Sequence, residues 1–494
     1  MKKQIVCKKK ELLLIILYII ISLPMIYSIY NSVPASDDFA AATRPGGPGV
    51  FKQSLLHGFG MWVTWGGRWL SQFVQTLVNP LNAHVHLGRI YGIYMIVLFV
   101  ITTLMIVHGL KVCVERVLGK DNKYVTLVTF IIMTIFSTTY YYSECYNWYV
   151  GAMVYTIPLG FIMVAVAAMI RYEDSSEISK KYYILMIAAG VFPATIEYCD
   201  VALGITYVYF IYYCNLKKRL TEDIKAKLKT CLPLLVYVVL GVSSVFAPGN
   251  RVRQEYYGLD LSITKSFIQF IKDVVIRIQD LIVDHPLAVI LFLILLLIGV
   301  YSNNEHKKVE HIPEIIVLFV IIIFGSLYPY IYGRAFETTY LDIRMEYILD
   351  FCLHVGIGIF MVMLGRYLNY RFEIDICIKD KLIIVLIMFV FTYASLIQNY
   401  AYLDIVQIDI IRNKGLIAES YNYWDDVLKE IENSPADEVI IERDYVPAWS
   451  RYFLGVGIDS GEVYNADSNK IYDEELIMPN VYYGKKSIQM KIEE

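Results

Sequence analysis

The sequence predicts an all-α polytopic membrane protein of about eleven transmembrane helices, carrying a small extracytoplasmic α/β domain at its C-terminus. Three observations carry that prediction. Of the 494 residues, 57% are hydrophobic and only 18% charged, with a mean hydropathy of +0.50; an ordinary soluble chain carries about a quarter charged residues. Apolar runs of about 20 residues, the length needed to cross a hydrocarbon core, recur along the chain. Charge is also partitioned: residues 400–494 hold 19 Asp+Glu against 9 Lys+Arg, while the rest of the chain is net positive. This composition excludes a soluble enzyme and a disordered chain. A formal net charge of −3 offers no basic field for nucleic acid. The 8 Cys are scattered, with no Cys-x-x-Cys or zinc spacing.

In chain order, the apolar runs lie near 12–30, 87–110, 124–142, 149–170, 182–196, 200–215, 230–247, 286–301, 313–332, 347–367 and 382–399. The fifth and sixth are short and share a break from Pro193 to Asp200. Met1 to Lys10 with the first run has the shape of a signal peptide, but no small-residue cleavage site follows, so an uncleaved first span is expected. Lys and Arg mark the cytoplasmic side. With the N-terminus inside, internal segments hold 24 of the 44 Lys+Arg, including the dense set Lys217, Lys218, Arg219, Lys225, Lys227 and Lys229; the short external segments hold 10. An odd number of spans then places the tail outside. Residues 1–399 thus form a transmembrane domain with a long first external loop, 31–86. Residues 400–494 form the small acidic domain. There Trp424, Val427, Leu428 and Ile431 repeat at helical spacing, and Asp437 to Glu442 reads as a strand.

Polar groups at a membrane edge are costly, so their placement is informative. In this topology they gather outside. The first external loop opens with Asp37-Asp38 and continues with Trp62, Trp65, Arg68 and Trp69. Later external segments carry Glu144, Asn147 and Trp148; Glu197 and Asp200; Asn250, Arg251 and Arg253; and Arg334, Glu337, Asp342, Arg344 and Glu346. Adjacent carboxylates can act as a general base or hold a divalent cation such as Mg or Mn. External arginines suit a phosphate through their planar fork of donors, and Trp and Tyr pack on sugar faces. Each signal also has a plainer reading. Asp37-Asp38 can cap a loop, the tryptophans can form an interfacial belt, Arg68 and Glu197 can be structural ion-pair partners, and Pro248-Gly-Asn250 can be a helix stop. His84 and His86 lack a third metal ligand.

An acidic pair straight after the first span, Trp62-x-x-Trp65-Gly-Gly-Arg68, Asn147-Trp148-Tyr149-Val-Gly151-Ala152, Glu197, and Pro248-Gly-Asn250-x-x-Arg253 occur in that order and on one side. Over residues 12–400 this resembles bacterial multi-pass glycosyltransferases of the GT-C type, especially the GtrII-like glucosyltransferase relatives. The resemblance implies a polyprenyl-phosphate-linked sugar donor used on the outer face of the bacterial plasma membrane, with inversion at the anomeric carbon. It implies a first-loop carboxylate as catalytic base, mapping onto Asp37 or Asp38, with Asp38 preferred. It implies arginines at the donor phosphate, for which Arg68, Arg253 and Arg344 are the candidates. Glu197, Asn250, Trp65 and Asn147 are the candidates for orienting the acceptor or the arginines. The small acidic tail departs from oligosaccharyltransferases, which points the acceptor toward an envelope glycan or glycolipid. A transporter or flippase of lipid-linked sugars, and a polysaccharide polymerase or ligase, are the rival readings.

Overall fold

The computed structural model describes residues 2–44, 46–174, 179–217, 224–257, 262–303, 307–309, 311–334, 341–374, 405–456 and 477–492. Apolar runs become helices because only a helix satisfies its own backbone away from water. The first part of the chain contains α1 (Lys2–Tyr30), α2 (Ser36–Ala40), α3 (Val50–Thr64), α4 (Trp69–Leu77), α5 (Arg89–Leu118), α6 (Val125–Thr139) and α7 (Ser143–Tyr146). A long helix, α8 (Tyr149–Asp174), widens into a π turn at Ala152–Thr156. Then come α9 (Lys180–Val191), α10 (Glu197–Lys217), α11 (Ile224–Val245), α12 (Pro248–Tyr257), α13 (Ile263–Val283), α14 (Pro286–Ser302), α15 (Ile312–Arg334) and α16 (Ile343–Phe372).

Among the described residues, six helices are long and apolar enough to cross a membrane: Lys9–Tyr30, Arg89–Leu118, Tyr149–Asp174, Leu228–Tyr256, Ile312–Gly333 and Ile343–Phe372. The pair α13 and α14, bent by 89° between them, makes a seventh if counted as one broken span. Eleven runs were expected. The run at 124–142 becomes the 15-residue α6, whose residues are nearly all buried by neighbouring helices, so protein rather than lipid covers it. The runs at 182–196 and 200–215 become the 12-residue α9 and α10, separated by a short turn at Pro193–Thr195. The run at 382–399 lies outside the described residues.

Close helix crossings use small residues, as expected where apolar burial alone cannot choose partners. A Cβ at Gly365 on α16 would sit 2.0 Å from the Leu296 carbonyl oxygen of α14, and one at Gly109 on α5 would sit 2.5 Å from that of Met163 on α8. The ends of α1, α11 and α15 and the starts of α5, α8, α10, α14 and α16 share one end of the bundle. That end also carries α2 to α4.

The tail adds α17 (Val406–Arg412), α18 (Lys414–Asn433), β1 (Glu438–Arg443), α19 (Ile477–Tyr483) and β2 (Ser487–Ile492). The strands pair in parallel, Glu438 opposite Ser487 through Arg443 opposite Ile492. Val427, Leu428 and Ile431 are buried along α18, and burial alternates along β1, as the sequence spacing predicts. The tail packs on the first loop and the end of α1. Ser28 Oγ donates to the Tyr452 carbonyl (2.5 Å), Tyr482 OH donates to that of Leu81 (2.9 Å), and the Phe39 ring meets Tyr482 and Tyr483. Its buried side chains continue the core of the helical bundle.

Candidate active site at one end of the helical bundle

The acidic pair splits into two roles. Asp38 is the third residue of the five-residue α2, where a carboxylate can fold back onto the backbone that opens the helix. Its Oδ2 accepts from Ala35 N (2.9 Å) and from Tyr91 OH (2.7 Å), and its Oδ1 accepts from Val150 N (3.0 Å). Tyr91 OH in turn accepts from Tyr149 N (3.0 Å). Asp38 is therefore a fully buried clamp that ties the first loop to α5 and to the start of α8. Burial pushes its carboxyl up to about 7, against the pull of these donors. Asp38, preferred as the base on the resemblance, is buried with both carboxylate oxygens already accepting hydrogen bonds, which makes Asp37 the more open of the pair.

Asp37 differs. It is exposed and makes no hydrogen bond among the described residues. Protein still walls it on most sides, which raises its carboxyl above the ordinary value of 3.8, while the Arg344 guanidinium pulls it down. A carboxylate reachable by water yet partly desolvated is the arrangement a general base needs.

Arg344 lies in the first turn of α16. Its Nη2 and Nε contact Asp342 Oδ2 at 3.0 and 3.3 Å, and Asp342 also accepts from Tyr330 OH (2.5 Å). Glu144 Oε2 stands 3.7 Å from the same Nε. Arg344 Nη1 makes no hydrogen bond among the described residues. Tyr155, from the π turn of α8, lies within electrostatic reach of Arg344 and also meets the next cation. Arg68 Nη1 is 3.5 Å from Tyr155 OH, and the guanidinium lies 5.7 Å from the ring centre. Arg68 Nε donates to Glu197 Oε2 at 2.5 Å. Arg253 is within electrostatic reach of the same Glu197 and stacks 5.3 Å from the Trp65 ring, which Tyr256 also approaches. One continuous set therefore links Asp37, Arg344, Tyr155, Arg68, Glu197, Arg253 and Trp65, drawn from six separate stretches of chain.

The turn Trp65-Gly-Gly-Arg68 places these groups by close backbone approach. A Cβ at Gly67 would sit 2.1 Å from the Ser244 carbonyl oxygen. Gly67 N donates to Asn250 Oδ1 (3.0 Å), and Asn250 Nδ2 donates to the carbonyls of Ser244 (2.9 Å) and Val245 (3.0 Å). Trp62 and Trp69 both donate to Ser243. These contacts leave Trp65 as the exposed member of the three.

Asn250 spends its amide on holding the loop against α11, which positions Arg68 and so fits the second of its two expected roles, orienting the arginines. Asn147 is buried. It accepts from Tyr141 OH (2.6 Å) and donates to Ser32 Oγ (3.0 Å) and to the Ser28 carbonyl (3.2 Å), so it ties the start of α8 to the end of α1. Arg68 is held by Glu197 and Arg344 by Asp342, while Arg253 lies over the Trp65 ring within reach of the same Glu197.

Of the other external arginines, Arg277 is buried against Asp350 and Glu346, and Arg251 pairs with Glu255 on the surface. The Arg334 side chain lies outside the description. His84 and His86 turn to different partners, Thr43 (3.2 Å) and Asp425 (2.8 Å). Among the described residues no three His, Cys, Asp or Glu side chains converge at metal-binding spacing. With Asp38 turned inward, the donor set at the acidic pair does not fit a divalent cation.

Tyr155 was not legible as a site residue, because it sits inside an apolar run. Its local signal is the π turn, which re-aims side chains and recurs at functional sites. Asp342 and Glu144 were visible as external carboxylates, but their pairing with Arg344 was not. No family model, curated protein or solved structure matches the chain.

Proposed function

We propose that the chain is an inverting glycosyltransferase of the GT-C type in the bacterial plasma membrane. It moves a hexose-like sugar from a polyprenyl-phosphate donor to an envelope glycan or glycolipid. In this reading the N-terminus is cytoplasmic, and the site and tail are extracytoplasmic, as the distribution of Lys and Arg favours. The observation that carries the reading is the Asp37 carboxylate, exposed, without a hydrogen bond among the described residues and within electrostatic reach of Arg344.

The acceptor hydroxyl gives its proton to the Asp37 carboxylate as its oxygen forms a bond to the anomeric carbon. The bond from that carbon to the phosphate oxygen breaks on the opposite face, and the electron pair leaves on the phosphate. Arg344 and Arg253 stabilise that growing negative charge, and fixed cations of this kind usually supply the largest share of catalysis. Glu197 and Tyr155 position Arg68, which adds its field from behind. Trp65 offers an exposed ring for a sugar face.

The test uses detergent-solubilised protein and labelled polyprenyl-phosphate hexose. An enzyme transfers or releases sugar with no sealed membrane, and the new linkage has the opposite anomeric configuration. Binding of the donor without any turnover, together with donor translocation after reconstitution into vesicles, would replace this reading with that of a flippase.

A further inference from the structure

A cavity lies apart from the site. It has a volume of about 430 Å³ and runs between α5, α8, α10, α15 and α16. Volumes of this order hold small ligands. Its walls are apolar for most of their length, with Met163, Phe210, Phe319 and Val355 among them. Ile348 lines it near the start of α16 and Arg366 near the far end of the same helix, 18 residues on. At 1.5 Å per residue that is about 27 Å, close to the thickness of a hydrocarbon core. None of Asp37, Arg68, Tyr155, Glu197, Arg253 or Arg344 lines it.

The end remote from the site is charged. Arg116 is committed to Glu173 and Asp174. Arg366 is not so committed: its Nη1 donates to the Val117 carbonyl, and its Nε is buried with no hydrogen-bond partner among the described residues. Lys308 stands exposed at the same mouth. A buried guanidinium donor without an acceptor is costly. A phosphate at this mouth would set an anion against the Arg366 guanidinium, with Lys308 as second cation.

We infer that this cavity binds one anionic membrane phospholipid, its phosphate at Arg366 and Lys308 and an acyl chain along the apolar walls. The inference stands independently of the glycosyltransferase reading. A donor tail entering from the site end would pass no site residue and would bring its hydrocarbon terminus against Arg366, Lys308 and Glu173, which gains nothing. A lipid whose head starts at that mouth matches charge to charge and chain to apolar wall. With the N-terminus inside, this mouth faces the cytoplasmic leaflet, where anionic lipids concentrate.

The experiment is lipid binding to the purified full chain, read by native mass spectrometry with dioleoyl-phosphatidylglycerol and dioleoyl-phosphatidylcholine as probes. One phosphatidylglycerol should bind about tenfold tighter than phosphatidylcholine. The double variant Arg366→Gln, Lys308→Gln should bind the two lipids equally. Thr206→Trp, which fills the chain path, should lose both. Elution of each variant as the native species in size-exclusion chromatography guards against misfolding. Equal binding of the two lipids by the unaltered chain, or a preference that survives the double substitution, overturns the inference. So does polyprenyl phosphate binding that Thr206→Trp abolishes and the charge variants leave unchanged, since the cavity would then hold the donor tail.

Discussion

Asp37 and Asp38 are neighbours of the same residue type, and the structure gives them opposite fates under one substitution. Asp37→Asn removes an exposed group with no hydrogen bond among the described residues, so folding should be untouched. As the base it should cost about 10²- to 10⁴-fold in turnover. Asp38→Asn replaces an oxygen that faces a donor with an amide that is itself a donor. Ala35 N and Tyr91 OH converge on one carboxylate oxygen and Val150 N on the other, at 2.7 to 3.0 Å. One buried N–H then meets another, at a cost of about 2 kcal/mol, roughly thirtyfold in a folding equilibrium. The pair is measured by transfer from labelled polyprenyl-phosphate hexose in detergent, alongside the thermal unfolding midpoint of each purified variant. The expected pattern is an inactive but stable Asp37→Asn and a destabilised Asp38→Asn. Full transfer by Asp37→Asn, or equal destabilisation by the two substitutions, would refute the division of roles.

The remaining predictions test the surroundings of Asp37. Because burial raises the Asp37 carboxyl and the base acts only when deprotonated, kcat/KM should fall as pH drops through a value above 3.8. Arg344→Gln removes the cation that lowers that carboxyl, so the acid limb should move to higher pH while turnover falls about 10²- to 10³-fold; an unshifted limb would separate the two residues. Arg68→Met and Glu197→Met should each destabilise by about 2 kcal/mol, and the double variant by less than their sum, because each single change strands one partly buried charge; additivity in the thermal midpoint would mean that the 2.5 Å pair contributes nothing. Gly67→Ala should disturb the loop and lower activity, since its Cβ would meet the Ser244 carbonyl at 2.1 Å; unchanged kinetics would show that the loop does not place Arg68.

Much of the architecture was readable from periodicity and apolar length. The long helices at 89–118, 312–334 and 343–372, and the amphipathic α18, follow from local pattern alone. Apolar length alone does not separate spans from buried helices: α6 is as apolar as a membrane span but only 15 residues long and is covered by other helices. Apolar composition does not distinguish lipid from protein as the neighbour. The expected sidedness of the polar residues grouped Asp37, Arg68, Glu197, Arg253 and Arg344, and the structure sets these at one end of the bundle, but it did not separate roles among them. Asn147 and Asn250 look like site residues in sequence, and their amides turn out to be engaged by Ser28, Ser32 and Tyr141 and by Gly67, Ser244 and Val245.

The sequence by itself determined that this chain is a helical membrane protein with its exceptional polar residues concentrated between certain spans, because hydropathy and charge are properties of single residues and short windows. Tertiary structure alone decided that Asp37 is open while Asp38 is clamped, that Tyr155 stands between Arg68 and Arg344, and that Arg366 ends an apolar cavity. Each of those depends on which partners, tens to hundreds of residues away, fill a group's hydrogen bonds and exclude water from it, and no local pattern encodes that.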